Sequence, residues 1–200
     1  MVIGFCGGIG AGKDTAFDRL RYIFSDQDIV QVSFARQLKE SAAAALGVHS
    51  RLIEAEKRNP KATVTFSVWD QETGQAQESV QSLRQFLQGY GTEAHRDIFG
   101  TDFWVDQAMP MDLDHTGRVV CATDVRFPNE LKRVVDLGGV NILIENDINE
   151  ATPREAAHSS ETSIDMKLVS YTINNRVRDD NFEFLDRQVT SIMGKLLKTV

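Results

Sequence analysis

The sequence predicts an α/β fold, a five-stranded parallel sheet flanked by helices. Three observations carry the prediction. Five short apolar runs, Val2–Cys6, Ile29–Phe34, Arg118–Thr123, Val140–Ile144 and Leu168–Ile173, read as buried strands. Segments of helical period lie between them, and strands that alternate with helices imply parallel pairing under two helical layers. Ligands of such sheets gather at the carboxyl ends of the strands, and the first run leads there straight into a glycine-rich turn.

That turn is Gly7-Gly8-Ile9-Gly10-Ala11-Gly12-Lys13-Asp14-Thr15. Gly7, Gly12 and Lys13 fit the phosphate-loop spacing G-x4-G-K, with Asp14 where a Ser or Thr is usual and Thr15 one place on. Glycines let the backbone turn its amides around an anion, a lysine adds a point charge, and the following helix offers its positive N-terminus. The context is right: a strand precedes the loop, and Ala16, Leu20, Ile23 and Phe24 recur at helical spacing after it. A dinucleotide-binding turn fails, because counting from Gly8 and Gly10 its third glycine falls on Lys13.

Further along, Leu38, Ala42, Ala45 and Leu46 form one helical face after the second strand. Ala62–Val68 alternates apolar and polar residues before a turn-like Asp70–Gly74, which predicts a small hairpin insertion. Val80, Leu83, Leu87 and Tyr90 predict a helix stopped by Gly89 and Gly91. Pro128 opens a helix carrying Leu131, Val134 and Val135, which Gly138 ends. Residues 146–165 are polar and interrupted by Pro153; a mobile lid has this composition, and so does a surface loop without a role. Asp180 and Glu183 resemble a capping box ahead of the stripe Phe182, Leu185, Val189, Ile192 and Leu196.

Composition narrows the classes. Two hundred residues, 42% of them apolar, suit one globular domain. No apolar run approaches membrane length, and the N-terminus starts a strand instead of a signal segment. Cys6 and Cys121 sit in strand-like runs and read as reduced core residues. A net charge of −7 argues against nucleic-acid binding by the whole surface, so phosphates must be met locally by selected arginines. A soluble cytoplasmic protein is expected.

Candidate chemical groups fall near the strand ends. Asp124 closes an apolar run, which puts a carboxylate at the mouth of the sheet where a nucleotide's magnesium would lie; the alternative is a helix-capping aspartate. Arg126 follows it, and Arg36 follows the second strand; planar guanidinium forks suit phosphate. The densest polar stretch runs from Arg84 through Gln88, Thr92, Glu93 and Arg96 to Trp104. There Arg96 can clamp an anion, Gln88 and Glu93 can hydrogen-bond a base or sugar, and Trp104 offers a stacking face. Arg154 could close over a transferring phosphate from the 146–165 stretch, and His158 reads as lid packing. Asp14 either serves the metal or acceptor side of the reaction or stands as a favourable anion in a helix's first turn.

The segments Asp124-Val125-Arg126-Phe127-Pro128-Asn129-Glu130, Gln88-Gly89-Tyr90-Gly91-Thr92-Glu93 with Arg96, and Phe103-Trp104 resemble the bacteriophage deoxynucleoside monophosphate kinase family. So do Gly12-Lys13-Asp14-Thr15 and His158-Ser159-Ser160-Glu161, whereas the 62–74 hairpin finds no counterpart. The resemblance implies a P-loop nucleoside monophosphate kinase fold, one domain over 1–200 with an acceptor-binding insertion at about 35–110 and a lid at about 146–165. It implies transfer of the γ-phosphate of ATP to a dNMP with Mg²⁺. Gly8, Gly10, Ala11, Gly12, Lys13, Asp14, Thr15 and Asn175 would then serve ATP, with Thr15 and Asp124 serving the metal. Arg36, Gln88, Thr92, Glu93, Arg96, Trp104 and Arg126 would serve the dNMP. Lys13, Asp124, Arg126 and Arg154 would carry the transfer. The alternative is a P-loop kinase of another phosphate-bearing acceptor, of the phosphomevalonate or dephospho-coenzyme A type. The expected partner is a small-molecule substrate, with neither nucleic acid nor membrane; the hairpin or a helix face could support a homodimer.

Overall fold

A computed structural model describes residues 1–8, 10–56, 59–146, 164–175 and 182–198. The chain forms two compact units, residues 1–34 with 105–200, and residues 35–104.

The first unit is built on a five-stranded sheet of β1 (Val2–Cys6), β2 (Ile29–Val32), β5 (Val119–Val125), β6 (Val140–Glu145) and β7 (Val169–Asn174), in the order β2-β5-β1-β6-β7. Every pairing is parallel. Its helices are α1 (Lys13–Ile23), α6 (Phe103–Ala108, whose first two residues belong to the second unit), α7 (Pro128–Asp136) and α8 (Glu183–Leu196). Alternate residues of each strand face opposite sides. Ile3 and Phe5 join Phe17 and Leu20 of α1 with Leu185, Val189 and Ile192 of α8 in one core layer. Val2 and Cys6 join Leu131 and Val134 of α7 with Val105 and Met109 in the other. With both faces buried, the inner strands β5, β1 and β6 are mostly apolar and stood out in the sequence, whereas the edge strands β2 and β7 are partly exposed. This is the α/β architecture expected, a five-stranded parallel sheet flanked by helices. Among the described residues no helix is long and apolar enough to cross a membrane.

Three details tie the sheet together. Gly4 has no space for a side chain: a Cβ there would come within 2.3 Å of Asn141 Oδ1. Asn141, fully buried, donates from Nδ2 to the Leu131 and Leu168 carbonyls, each at 3.0 Å, and so fastens α7 and the turn before β7 to β6. Arg19 of α1 forms a two-pronged bond to Asp186 of α8, with Nε to Oδ1 at 2.7 Å.

The second unit holds α2 (Phe34–Ala45, whose first residue belongs to the first unit), α3 (Ser50–Glu56), the antiparallel pair β3 (Thr63–Asp70) and β4 (Gln75–Ser82), and α4 (Leu83–Gly91). A π-helical turn (Thr92–Arg96) and α5 (Asp97–Phe99) continue from α4. Ala42, Ala43, Ile53 and Leu83 form its small core, with Val64, Phe86 and Tyr90 packed against them.

Several boundaries differ from expectation. The second strand stops at Val32, and Phe34 opens α2. Val80 belongs to β4, not to a helix, because Ser82 starts α4 as its N-cap, accepting from Gln85 N while Gln85 Oε1 accepts from Ser82 N. Gly89 and Gly91 lie within α4, and the helical run continues to Gly100, whose φ of 101° ends it. Gly91 is there for proximity: a Cβ would come 2.3 Å from Leu38 Cδ1. Pro128 and Gly138 bound α7 as expected. Asp180, and the lid residues from 147 to 163 with Arg154 and His158, lie outside the described residues.

Candidate active site

The glycine loop leaves β1 at Gly7, whose φ is 142° and whose missing Cβ would lie 2.3 Å from the Ile144 carbonyl oxygen of β6. Gly10 and Gly12 also take positive φ, 77° and 91°, conformations that side chains resist. Lys13 Nζ donates to the carbonyls of Gly7 (2.7 Å) and Gly8 (2.8 Å), bridging the strand exit from the first turn of α1. The amide of Ala16 closes the first helical bond onto Gly12 O at 2.9 Å. The donors at the N-terminus of α1 and the Lys13 ammonium therefore lie within one short loop, the makings of an anion cradle. Thr15 is half-buried in the first turn; Asp14 is exposed beside it, and Gly8, Gly10 and Ala11 complete the loop.

Asn175 has a role that the sequence did not disclose. It directly follows β7, is buried, and donates from Nδ2 to the Ala11 carbonyl at 3.0 Å. Its own amide donates to Glu145 O at 2.7 Å. The side chain fills the space beside Gly12, where a Cβ would come 2.0 Å from Asn175 Nδ2. Here it latches the glycine loop to the ends of β6 and β7.

Asp124 sits at a bulge. Gly4 pairs with Ala122 but Cys6 with Val125, so β5 carries one extra residue within Thr123–Asp124. Such an insertion re-aims side chains at a strand end. Asp124 Oδ2 accepts from Ser33 Oγ at 2.8 Å, and Oδ1 accepts from the Phe34 amide at 3.0 Å. The capping alternative is thus real, for the first turn of α2 and not for α7. It also fixes the carboxylate in place at the mouth of the sheet. Arg126, half-buried, has its amide bound to Glu130 Oε2 at 2.7 Å, and Phe127 N shares that oxygen at 3.0 Å. The buried Glu130 therefore shapes the backbone that presents Arg126, a function the sequence signalled only as a residue in the first turn of α7.

In the second unit, Gln88, Thr92 and Glu93 line one open groove of about 1080 Å³ with Phe66, Phe86 and Tyr90. Arg96 is half-buried at the end of the π-helical turn, and Arg36 is exposed near the start of α2. A π turn inside a helical run is uncommon and recurs at functional positions. Trp104 departs from expectation. It is 2% exposed, its indole N–H donates to Gly91 O at 2.9 Å, and His95 and Phe103 pack on it with ring centroids 4.9 and 4.8 Å away. It is a core residue that supports the α4 segment and not an open stacking face.

Burial pushes the Cys6 thiol up to about 11 and that of Cys121 to about 12. Both cysteines are buried and free, in keeping with reduced core residues.

No protein-family model matches the chain. None of the curated proteins matches it either. Among solved structures, it is similar to shikimate kinase from Bacteroides thetaiotaomicron, with 11% identity, 99% of this chain and 98% of that chain covered, and a TM-score of 0.39. A shikimate kinase from Acinetobacter baumannii in complex with shikimate gives 10% identity, 99% and 93% coverage, and 0.37. A plasmid partition protein from Borrelia burgdorferi bound to AMPPNP gives 11%, 100% and 98%, and 0.37. At these values no residue's role is taken from them.

Proposed function

We propose that this protein is a deoxynucleoside monophosphate kinase, transferring the γ-phosphate of ATP to a dNMP to give dNDP. The observation that carries the reading is the glycine loop. Three positive-φ glycines, a lysine bonded across the loop and the start of α1 are gathered at the carboxyl end of the buried central strand β1. That construction suits a polyphosphate. The acceptor is inferred from the resemblance noted above, together with a second unit rich in base-binding chemistry.

Phosphoryl transfer asks the protein mainly for positioning and charge neutralisation. Lys13 would exchange its loop carbonyls for phosphate oxygens and remain with the transferred group. Arg126 would hold the acceptor's phosphate from a backbone that Glu130 pins, with Arg36, Arg96 and Arg154 as further phosphate contacts. Thr15 and Asp124 would hold Mg²⁺, which supplies charge neutralisation at the phosphate oxygens. The donor set fits: a magnesium ion bound mostly by phosphates and water needs only one or two protein oxygens. Among the described residues no cluster of three His, Cys, Asp or Glu is assembled for a metal.

The test is ADP release across a dNMP panel, with phosphomevalonate and dephospho-coenzyme A alongside. Stimulation by at least one dNMP is expected; stimulation by either other acceptor alone would replace the reading with the alternative.

A further inference from the structure

The β3–β4 hairpin contains the 62–74 stretch, which the resemblance does not map, and one of its faces forms a wall of the groove on α4. Residues directly opposite across an antiparallel pair share a face. Phe66 pairs with Ser79 and Val64 with Gln81, so these four face together, whereas Trp69 and Ala76 face the other way. Phe66 lies 6.2 Å from Phe86 of α4, and Phe86 lies 5.6 Å from Tyr90, which gives the groove an aromatic floor. Amides stand along it at Gln81, Gln85 and Gln88.

The charges in the groove are informative. Among the described residues its lining contains no lysine or arginine, and Glu93 is the one carboxylate. Among these residues a phosphate would find no cation to pair with. A flat, neutral, heteroaromatic group would find ring faces to stack on and amides for its edge. Glu93 is exposed and lines the groove, with its Oε2 above Gly89, 3.7 Å from where a Cβ would sit. Arg96 follows three residues later on the same helical run.

We propose that this groove is the base subsite for the acceptor, with the hairpin as its specificity wall and Glu93 as the residue that selects the base; this rests on the kinase reading above. A carboxylate only accepts hydrogen bonds. Guanine offers it two adjacent donors, N1–H and the N2 amino group, and satisfies both oxygens. Adenine and cytosine offer one amino group beside a ring acceptor. Thymine offers one N–H between two carbonyls that repel the carboxylate. The order of preference is therefore dGMP first and dTMP last.

The experiment measures kcat/KM for the four common dNMPs, and KM for ATP, in the wild type, Glu93→Gln, Gln81→Leu and Trp69→Ser. Calorimetric binding of dGMP and dTMP without ATP is measured alongside. Glu93→Gln is expected to lose roughly ten- to a hundred-fold on dGMP while KM for ATP holds, the scale for a hydrogen-bonded charged group. Gln81→Leu is expected to weaken all four dNMPs, and Trp69→Ser, on the opposite face, to change none. If no dNMP is turned over, the kinase reading fails, and the subsite is still judged by binding: dGMP favoured over dTMP, less so in Glu93→Gln, supports it. A base profile and binding ratio unchanged in Glu93→Gln and Gln81→Leu overturn the subsite, with the kinase reading intact wherever dNMPs are turned over.

Discussion

Single residues in the loop carry separable duties. Lys13 braces the Gly7 and Gly8 carbonyls and is the loop's cation, so Lys13→Ala should cost turnover roughly 10²–10³-fold or more, on the scale of removing one donor to a developing charge. An unchanged thermal midpoint would show that the loss is chemical. Asn175 makes no chemistry of its own in this account. Its amide holds Ala11 O and packs against Gly12, so Asn175→Ala should loosen the cradle without removing a charge. About ten- to a hundred-fold in kcat/KM for ATP is expected from misplacement on the ångström scale. An effect confined to thermal stability would reduce Asn175 to a structural residue. The loop was legible from glycine spacing; the latch was not, because it joins Ala11 to a residue after the last strand and leaves no local pattern.

Elements buried on both sides could be read directly. The inner strands β5, β1 and β6 run mostly apolar because α1 and α8 cover one face and α7 the other, while β2 and β7 at the edges are only partly buried. The second unit was harder. Its β4, Gln-Ala-Gln-Glu-Ser-Val-Gln-Ser, is largely exposed and owes its state to pairing with β3, so its single Val80 fitted a helical period equally well. Gly89 and Gly91 looked like helix breakers, yet Gly91 serves to admit Leu38. Gly91→Ala should therefore destabilise this unit by about 1–3 kcal/mol through overpacking, read by denaturant unfolding. In the sheet, Cys6 and Cys121 should resist thiol reagents until the protein unfolds. Burial raises their folded values to about 11 and about 12, above the unfolded value near 9. Their contribution is thus complete below that unfolded value and is lost as pH rises through the folded ones. Stability measured from pH 8 to 11 should fall with rising pH.

At the scale of the whole molecule, the proposed function divides its work between two units. The first supplies the phosphate loop with Asp124 and Arg126; the second supplies the aromatic and amide groove beside Thr92 and Glu93. The α/β class and the donor loop were readable from alternation and spacing. Of the groove proposed for the acceptor, Gln88, Thr92 and Glu93 were read from the sequence but its walls were not, because they come from a hairpin and a helix whose relation only folding reveals, and because Trp104, the aromatic that seemed available, is buried. The central claim is γ-phosphate transfer to a dNMP. It is tested most directly by incubating the protein with γ-labelled ATP, Mg²⁺ and each dNMP in turn, then separating the products. The account predicts label in a dNDP, greatest with dGMP and lost in Lys13→Ala. Label that remains in ATP or appears only as free phosphate, whichever dNMP is present, would contradict it.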